Sequence, residues 1–334
     1  MPPLRPPSAP PPPPQVVLLI DFDWTMIEAN SDTAVLPGLG PAAERAFEAH
    51  ASLGWTARVA TALAAPRPPP TPAELSEALA AGGCAVSPAL AEAIRRVASP
   101  HPSPLPCHRG GDDSGGAAGR RGRGAGAAVT PSVQWHVLSD ANDVFIRSVL
   151  ARAPGGGLFP TSVISNPLTW EGGEGEGLGR GQCPSSPPPL PTLRPRRSAT
   201  DPHGCPRCPP NLCKGVEALA VAAAAPRGAA FVVAGDGAND VCPCLSLHAA
   251  GHSIEALARD RYPERPDGGA ARKRSTPRML SELRAAGFGA ATPAASASAG
   301  GAGSAPGTAR LTTWTTPEDL AMGLVAAVER AREG

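Results

Sequence analysis

Two carboxylates separated by one residue follow a short apolar run near the start of the chain. Residues 16–25 read VVLLIDFDWT, so the apolar run ends at Asp21 and Asp23, with Thr25 two residues further on. A buried strand that ends on an aspartate places its carboxylate at the strand's carboxyl end, where open α/β sheets bind ligands. One carboxylate could act as a nucleophile and the other as a general acid and base. A solvated acidic turn is the alternative interpretation of this segment alone.

A second carboxylate-rich segment follows the apolar run FVVA at 231–234 and reads GDGAND at 235–240. Its glycines allow a sharp turn and a close approach of the backbone to a ligand. Asp236 and Asp240 supply the hard oxygen ligands that Mg²⁺ prefers, usually together with substrate phosphate and water. The segment therefore predicts a magnesium site after a second strand.

Two further features could bind an anion. The strand-like segment VQWHVLSDAN at 133–142 contains Ser139 and Asp140 near its end. Lys214 begins the stretch KGVEALAVAAAA, whose alanines favour a helix. An ammonium group near the positive end of a helix is suited to binding an anion such as phosphate.

In chain order, these residues resemble the four motifs of haloacid dehalogenase-type phosphatases: Asp21-x-Asp23-x-Thr25, Ser139, Lys214 and Gly235-Asp236-Gly237-x-x-Asp240.

Longer segments are similar to the phosphoethanolamine/phosphocholine phosphatase family, which includes pyridoxal-phosphate phosphatases and plant pyrophosphate-cleaving relatives. The resemblance extends from about residue 15 to 320 and is interrupted by insertions. Trp24 departs from the family, whose members usually have a smaller or charged residue there. The similar segments are DFDWTMIEANSD at 21–32, VLSDAN at 137–142, SNP at 165–167, HGCPRCPPNLCK at 203–214, GDGANDVCP at 235–243 and RYP at 261–263.

The resemblance implies a Mg²⁺-dependent phosphatase that forms an aspartyl-phosphate. Asp21 is expected to attack phosphorus, while Asp23 protonates the leaving alcohol and then acts as general base for water. Ser139 and Lys214 are expected to bind the phosphate, which Thr25 could also contact. The implied metal-binding set comprises Asp21, Asp23 through its backbone carbonyl, Asp236 and Asp240.

Asp32 and Asp140 exceed what metal and phosphate binding require. Extra carboxylates beside the active-site strand ends could face a cationic group, which suits phosphoethanolamine or phosphocholine, and the resemblance points in the same direction. The alternative is that both residues cap helices, since an aspartate is favoured at an N-cap.

Two other functions stay open. The first is cleavage of pyridoxal phosphate or pyrophosphate by the same chemistry. The second, from a different class, is a catalytically weak interaction protein. The intact set of Asp21, Asp23, Lys214 and Asp236 argues against this last function.

Glycine and proline divide the chain into patterned and low-complexity parts. The chain of 334 residues contains 38 glycines and 43 prolines, which concentrate in a few segments. Such segments lack the apolar residues needed to offset chain entropy. The predicted organisation is a disordered Pro-rich tail at 1–14, a haloacid dehalogenase-type core at 15–40 and 132–332, a helical cap at 41–98, and low-complexity insertions at 99–131, 171–204 and 287–308.

Short apolar strands separated by helices imply parallel pairing. We therefore expect an α/β fold with a doubly wound, Rossmann-like parallel sheet and a small helical cap inserted after the first strand. The predicted strands are 16–21, 133–138, 161–165, 230–234, 253–257 and 310–314. The predicted helices are 41–64, 72–81, 88–98, 141–152, 214–225, 240–248, 277–286 and 317–331.

The charge pattern gives no indication of a membrane or nucleic-acid partner. The net charge is +1, and local basic clusters lie in or beside Gly/Pro-rich sequence without interleaved aromatic residues. No apolar stretch approaches the roughly 20 residues of a membrane span. We expect a cytoplasmic protein whose partner is a small phosphorylated metabolite.

Four possible zinc ligands lie within a short segment. Eight cysteines in the chain are too few for a secreted disulfide framework. His203, Cys205, Cys208 and Cys213 could together bind a structural zinc ion. Reduced cysteines in a loop or a core are the alternative interpretation.

Overall fold

The computed structural model describes residues 15–98, 133–171, 190–196, 203–262, 277–290 and 308–333. The predicted tail at 1–14 and insertion at 99–131 lie outside the described residues. The same is true of most of the predicted insertions at 171–204 and 287–308.

The central sheet has seven strands, and each strand pair within it is parallel. The strand order is β3-β2-β1-β6-β7-β9-β8. The predicted α/β fold with a doubly wound parallel sheet is therefore confirmed. The strands are β1 Val16–Ile20, β2 Val133–Asn142, β3 Ser162–Asn166, β4 Leu168–Glu171, β5 Leu190–Leu193, β6 Ala230–Gly235, β7 Ile254–Arg259, β8 Gly289–Ala290 and β9 Ala309–Trp314.

The helices lie on both faces of this sheet and above its carboxyl edge. They are α1 Ser31–Ala34, α2 Leu36–Leu39, α3 Pro41–Ala49, α4 Trp55–Ala64, α5 Pro72–Ala81, α6 Pro88–Ala98, α7 Asp143–Ala151, α8 Lys214–Ala224, α9 Ala238–Ala249, α10 Arg278–Ala285 and α11 Pro317–Glu333.

The residues of β1 alternate between two hydrophobic layers. Val16, Leu18 and Ile20 pack in the layer that includes α6, α7 and α11. Val17 and Leu19 pack in the opposite layer with α8, α9 and α10. All five residues are buried, because a central parallel strand is covered on both faces. This explains the continuous apolar run before Asp21.

Strand register brings the polar strand ends together. Ile20 lies opposite Val137 of β2 and opposite Ala234 of β6. The chain therefore leaves all three strands at the same edge of the sheet. This edge is the crevice in which open α/β sheets bind ligands.

The segment at 41–98 is not one structural layer. The predicted helix at 41–64 is two helices, α3 and α4. Residues 50–54 between them are not helical, and Gly54 is the N-cap of α4. α6 packs on α11 and β2, as a helix of the core does. α3, α4 and α5 pack mainly on other helices and on β5, and not on the central sheet. The boundaries of the cap stay a prediction.

A small antiparallel pair of strands packs against the cap helix α4. β4 pairs with β5, and β5 contacts α4. Pro191 and Leu193 are buried whereas Leu190 is exposed, which is the alternation of a half-buried strand. Sequence analysis assigned these residues to an insertion because the surrounding prolines masked this short pattern.

Among the described residues, no helix is both long and apolar enough to cross a membrane. The cytoplasmic location stays a prediction.

Close packing between α2 and α5 gives a test of the cap. A Cβ added at Gly38 would lie 2.6 Å from the Cβ of Ala78 and 2.7 Å from its Cα, well inside ordinary carbon contact. We expect Gly38→Ala to lower the free energy of unfolding by about 1–3 kcal/mol, as overpacking does. Urea unfolding followed by circular dichroism measures the change.

Gly323→Ala is the matched control. Gly323 lies inside α11, and its added Cβ would meet its nearest atoms at 3.8 and 3.9 Å, so no clash arises. Alanine should there stabilise the helix by up to about 1 kcal/mol. Equal effects of the two substitutions would contradict the packing of α2 on α5.

Candidate active site

Asp21 lies directly after β1 and is buried. Its backbone N–H donates to the carbonyl of Ala234 at 2.9 Å, which extends the β1–β6 pairing by one residue. Asp23 is also buried, and its Oδ1 accepts the backbone N–H of Ser31 at 2.9 Å. The sheet therefore fixes the backbone of Asp21, whereas the start of α1 fixes the carboxylate of Asp23.

The loop that follows Asp23 contains an unusual backbone conformation. Trp24 has φ of 60°, the left-handed region that non-glycine residues rarely adopt. A fully buried arginine, Arg259 at the end of β7, donates to the Trp24 carbonyl. The same guanidinium donates to Glu28 at 2.6 Å and to the carbonyl of Arg261 at 2.9 Å. It thus connects the loop to β7.

Sequence analysis did not identify Arg259. The available signal was an apolar strand, IEALAR, that ends on a charge at the same sheet edge as Asp21. The role of this charge is visible only in the structure, where Arg259 contacts the Trp24 loop. That loop lies more than two hundred residues away in the chain.

Lys214 joins two acidic segments of the site. Its ammonium donates to Asp21 Oδ1 and to Asp240 Oδ1, each at 2.6 Å, and the side chain is 1% exposed. Burial lowers the pKa of Lys214, but the two carboxylates raise it by a larger amount. The net pKa therefore lies above the usual value. The ammonium therefore stays charged.

The GDGAND segment turns tightly around Asp240. Asp240 Oδ2 accepts the backbone N–H groups of Asp236 at 3.1 Å and Gly237 at 2.9 Å. A Cβ at Gly235 would lie 2.6 Å from Asp240 Oδ2, so only glycine fits there. Both oxygens of Asp240 are thus engaged, one with Lys214 and one with the turn.

Asp236 has hydroxyl partners on both oxygens. Thr25 Oγ1 donates to its Oδ1 at 3.4 Å, and the Tyr262 hydroxyl donates to its Oδ2. The Tyr262 ring meets Trp24 edge to face, with centroids 5.7 Å apart. Thr25 therefore contacts the carboxylate cluster, and Tyr262 joins it to the Trp24 loop.

Three of the predicted metal ligands come together. Carboxylate oxygens of Asp21, Asp236 and Asp240 lie within 4.8 Å of one another, and all three residues are buried. Hard carboxylate oxygens packed this closely fit Mg²⁺. The donor set therefore agrees with the predicted cofactor.

The same crowding shifts the acidity of these groups. Burial raises the pKa of Asp21 well above its usual value, Asp240 raises it further, and Lys214 opposes the shift. Burial, with a smaller contribution from Asp240, raises the pKa of Asp236 to about 6. Burial and then Asp32 raise the pKa of Asp23. Carboxylates held this way favour a bound cation or a proton.

Ser139 and Asp140 lie at the end of β2. Ser139 is fully buried, and its Oγ accepts the backbone N–H of Ala141 at 3.3 Å, which leaves its hydroxyl hydrogen available. Asp140 is half-buried and close enough to raise the pKa values of Asp21 and Asp23. Asp140 therefore lies close to Asp21 and Asp23, and Ser139 lies beside it at the end of the same strand.

Neither Asp32 nor Asp140 caps a helix, so that alternative is wrong. Asn142 caps α7 by accepting the N–H of Phe145 at 3.0 Å, and Asn30 caps α1 by accepting the N–H of Thr33 at 3.1 Å. Asp32 Oδ2 instead accepts the indole N–H of Trp55 at 2.6 Å.

Asp32 also has an unsatisfied oxygen. It is buried, and its Oδ1 has no hydrogen-bond partner among the described residues. Burial raises its pKa to about 7. A buried, unpaired acceptor beside Asp23 is a candidate contact for substrate.

The predicted set of zinc ligands needs one correction. His203 does not join the cysteines, because its Nε2 lies 3.0 Å from the Pro209 carbonyl and its Nδ1 accepts the N–H of Cys205. Cys242 of α9 takes the fourth position beside Cys205, Cys208 and Cys213. Sequence proximity favoured His203, whereas the fold brings in a residue from α9.

Comparison with known proteins gives one family match. Residues 127–265 match the model of the family described as Putative Phosphatase. This segment includes Ser139, Lys214, Asp236 and Asp240, and it supports the prediction of a phosphatase.

A curated relative is similar over a shorter stretch. The chain is 32% identical over 117 residues to "Inorganic pyrophosphatase 2" of Arabidopsis thaliana, which covers 34% of this chain and 36% of that protein. The chain thus aligns with about a third of the length of this relative.

Solved structures resemble the chain distantly. A HAD-family hydrolase from Salmonella enterica subsp. enterica serovar Typhi has a TM-score of 0.39 and 17% identity, over 74% of this chain and 64% of that one. A substrate-bound phosphoserine phosphatase has a TM-score of 0.36 and 10% identity, over 73% and 86%.

The contacts of Arg259 predict a structural role that a lysine cannot replace. Arg259→Lys removes the planar fork that serves the Trp24 carbonyl and Glu28 together. Because buried acceptors lose their donors, we expect the free energy of unfolding to fall by about 1–3 kcal/mol. Thermal unfolding by calorimetry measures this loss.

Arg261→Lys serves as the control, because its side chain is 75% exposed and pairs only loosely with Asp260 at 3.6 Å. It should change the free energy of unfolding by no more than about 0.5 kcal/mol. An Arg259→Lys protein as stable as this control would show that the buried contacts contribute nothing.

Proposed function

We propose that the chain is a Mg²⁺-dependent phosphatase that hydrolyses small phosphomonoesters through a phosphorylated Asp21. The observation that carries this proposal is the shared ammonium of Lys214, which donates to both Asp21 and Asp240 at 2.6 Å. This cation lies at one sheet edge with the buried Asp21 carboxylate and the carboxylate cluster, which supports a nucleophilic role for Asp21. The family match of residues 127–265 supports the same reaction class.

In the first step, an Asp21 oxygen forms a bond to phosphorus and the bond from phosphorus to the alcohol oxygen breaks. Asp23 supplies the proton that the leaving alkoxide takes. Burial and Asp32 raise the pKa of Asp23 well above its usual value, which favours the protonated carboxyl that this step requires.

In the second step, water attacks phosphorus while Asp23 takes one of its protons. The bond between phosphorus and Asp21 breaks, which frees inorganic phosphate and restores the Asp21 carboxylate. The same Asp23 thus acts as acid and then as base, so no further proton donor is needed.

Lys214 and Ser139 bind the phosphoryl oxygens in this scheme. The Lys214 ammonium reduces repulsion between the anionic ester and Asp21, and the Ser139 hydroxyl donates a hydrogen bond. Both groups are buried and already positioned, so little reorganisation is required when phosphate binds.

Bound Mg²⁺ would supply positive charge that offsets the crowding of carboxylates and the charge of the phosphoryl group. Asp21, Asp236 and the Asp23 carbonyl would hold it, together with Asp240 of the same carboxylate cluster. The hydrogen bonds of Asp240 to Lys214 and to two backbone amides also orient Lys214 and the 235–237 turn.

Asp32 and Asp140 favour a substrate with a cationic headgroup, such as phosphoethanolamine or phosphocholine. Neither residue caps a helix, and Asp32 Oδ1 is buried without a partner among the described residues. The primary ammonium of phosphoethanolamine would donate to this acceptor, whereas the quaternary ammonium of phosphocholine would offset only the negative charge.

Pyrophosphate cleavage is the second candidate, favoured by the name of the curated plant relative. Its second phosphate would lie toward the carboxylates of Asp32 and Asp140, which repel an anion. Values of kcat/KM for phosphoethanolamine, phosphocholine, pyridoxal phosphate and pyrophosphate would rank these substrates.

Loss of the nucleophile tests the reaction. Asp21→Asn should reduce kcat with an aryl phosphate and Mg²⁺ by at least about a thousandfold, because the amide cannot form the phosphoenzyme. Trapping of the wild-type intermediate with hydroxylamine, followed by mass spectrometry, should label Asp21 only.

Asp260→Asn provides a matched control directly after β7, which β6 separates from β1 in the sheet. Asp260 is half-exposed, and its carboxylate lies outside the cluster of Asp21, Asp236 and Asp240. This variant should retain nearly full activity. Activity that survives in Asp21→Asn would overturn the proposed mechanism, and an inactive wild-type protein would overturn the function.

The pKa of Asp32 predicts pH-dependent headgroup selection. Its pKa of about 7 means that the carboxyl is largely neutral below pH 7 and charged above it. The isostere 3,3-dimethylbutyl phosphate has the same shape as phosphocholine but an uncharged headgroup. The ratio of kcat/KM for phosphocholine to kcat/KM for this isostere should therefore rise about five- to tenfold from pH 6 to pH 8, which corresponds to roughly 1.0–1.4 kcal/mol of transition-state binding.

The ratio of kcat/KM values for the two esters cancels the pH dependence that both reactions share. Asp32→Asn should make this ratio nearly independent of pH. A flat ratio in the wild-type protein would argue against contact between Asp32 and the headgroup.

A further inference from the structure

Four cysteine sulfurs converge behind the candidate active site. Cys205, Cys208 and Cys213 come from the segment before α8, and Cys242 comes from α9. Their sulfurs lie within 4.8 Å of one another, with Cys205 and Cys213 at 3.5 and 3.9 Å from Cys242. Three of the four residues are buried.

These distances match a single tetrahedral metal ion. With Zn–S bonds of about 2.3 Å, the sulfurs of a zinc tetrathiolate lie about 3.8 Å apart. Sulfurs this close leave no room for a multi-iron cluster. The spacing Cys205-x-x-Cys208 is also typical of zinc sites.

The composition of the pocket favours a soft cation. Cys205 and Cys213 lie 3.5 and 3.9 Å from Cys242, too far for a disulfide, whose sulfurs lie about 2.05 Å apart. All four cysteines are free, and sulfur ligands in this number suit zinc.

The start of α8 faces the Cys242 sulfur. The backbone N–H of Gly215 forms a hydrogen bond with this sulfur. A Cβ at Gly215 would lie 2.5 Å from the Cys242 sulfur, so glycine permits this approach. Backbone N–H groups at a helix N-terminus stabilise sulfur ligands that carry negative charge.

We propose that Cys205, Cys208, Cys213 and Cys242 bind one structural Zn²⁺. Binding converts the thiols to thiolates and releases their protons. Four protein ligands leave no open position for substrate, so the ion stabilises structure and does not take part in the reaction.

The ion would fix two residues of the active site. Cys213 directly precedes Lys214, and Cys242 follows Asp240 by two positions on α9. Zinc therefore connects the backbones that carry the two partners of the 2.6 Å ion pair. This consequence rests on the proposed function, whereas the zinc site itself does not.

Metal content of the full chain tests the proposal. Protein purified without chelators should contain about one zinc per chain by plasma mass spectrometry, and mercurial modification of its thiols should release it. Cys242→Ser should lose most of this zinc. His203→Ala should keep it, because the histidine contacts only the segment's own backbone.

Cys244→Ala is the matched control, since Cys244 is buried on the same helix but lies outside the cluster. It should retain zinc. If Cys242→Ser fails to fold, X-ray absorption of the wild-type protein still decides, with four sulfurs expected at about 2.3 Å from zinc.

A wild-type protein without zinc, even after refolding with Zn²⁺, would overturn the proposal. Loss of zinc in His203→Ala but not in Cys242→Ser, or a disulfide among the four cysteines, would also overturn it. Zinc in a protein without phosphatase activity would instead reject only the proposed function.

Discussion

The ammonium group of Lys214 is the interaction on which the arrangement of the site depends. It is almost fully buried and bonds at 2.6 Å to Asp21 and Asp240, which belong to segments far apart in the chain. Burying three charges carries a large desolvation penalty, which close geometry and further hydrogen bonds must offset. The backbone amides that bond Asp240 provide part of this compensation. Substrate phosphate would enter a site whose charges are already in place.

The parallel sheet makes this arrangement possible. Parallel pairing of β1 with β2 and β6 brings three chain segments out at one edge, so residues 21, 139 and 236 meet. Helices α8 and α9 start at the same edge and direct their N-terminal amides toward the acidic groups and the thiols. The catalytic chemistry and the zinc site that we propose thus both use helix N-termini at the carboxyl edge of the sheet.

In the function that we propose, substrate selection would depend on a different part of the chain. α1 holds Asp32, and Trp55 of α4 in the cap bonds its carboxylate at 2.6 Å. A cap residue therefore contacts a site residue directly. This contact would make headgroup recognition and cap position depend on each other, which is consistent with a lid that excludes water from a phosphoenzyme.

The sequence alone predicted six of the nine strands that the structure describes, most of the helices, and the acidic and basic residues that lie together at the sheet edge. Local signals suffice there, because a buried parallel strand is continuously apolar and its polar end is visible in the sequence. Asp21, Lys214 and Asp236 could be identified in this way. α6 and α5 were predicted with the observed bounds, since each begins with a proline after a serine or a threonine.

The tertiary structure alone decided which residues meet across the chain. It replaced His203 with Cys242 in the thiol cluster, and it revealed Arg259 behind the Trp24 loop. These two facts depend on contacts between segments tens to hundreds of residues apart, and no local pattern of hydrophobicity or propensity encodes such contacts. The helix caps at Asn30 and Asn142 are local contacts, but only the structure excluded Asp32 and Asp140 from that role.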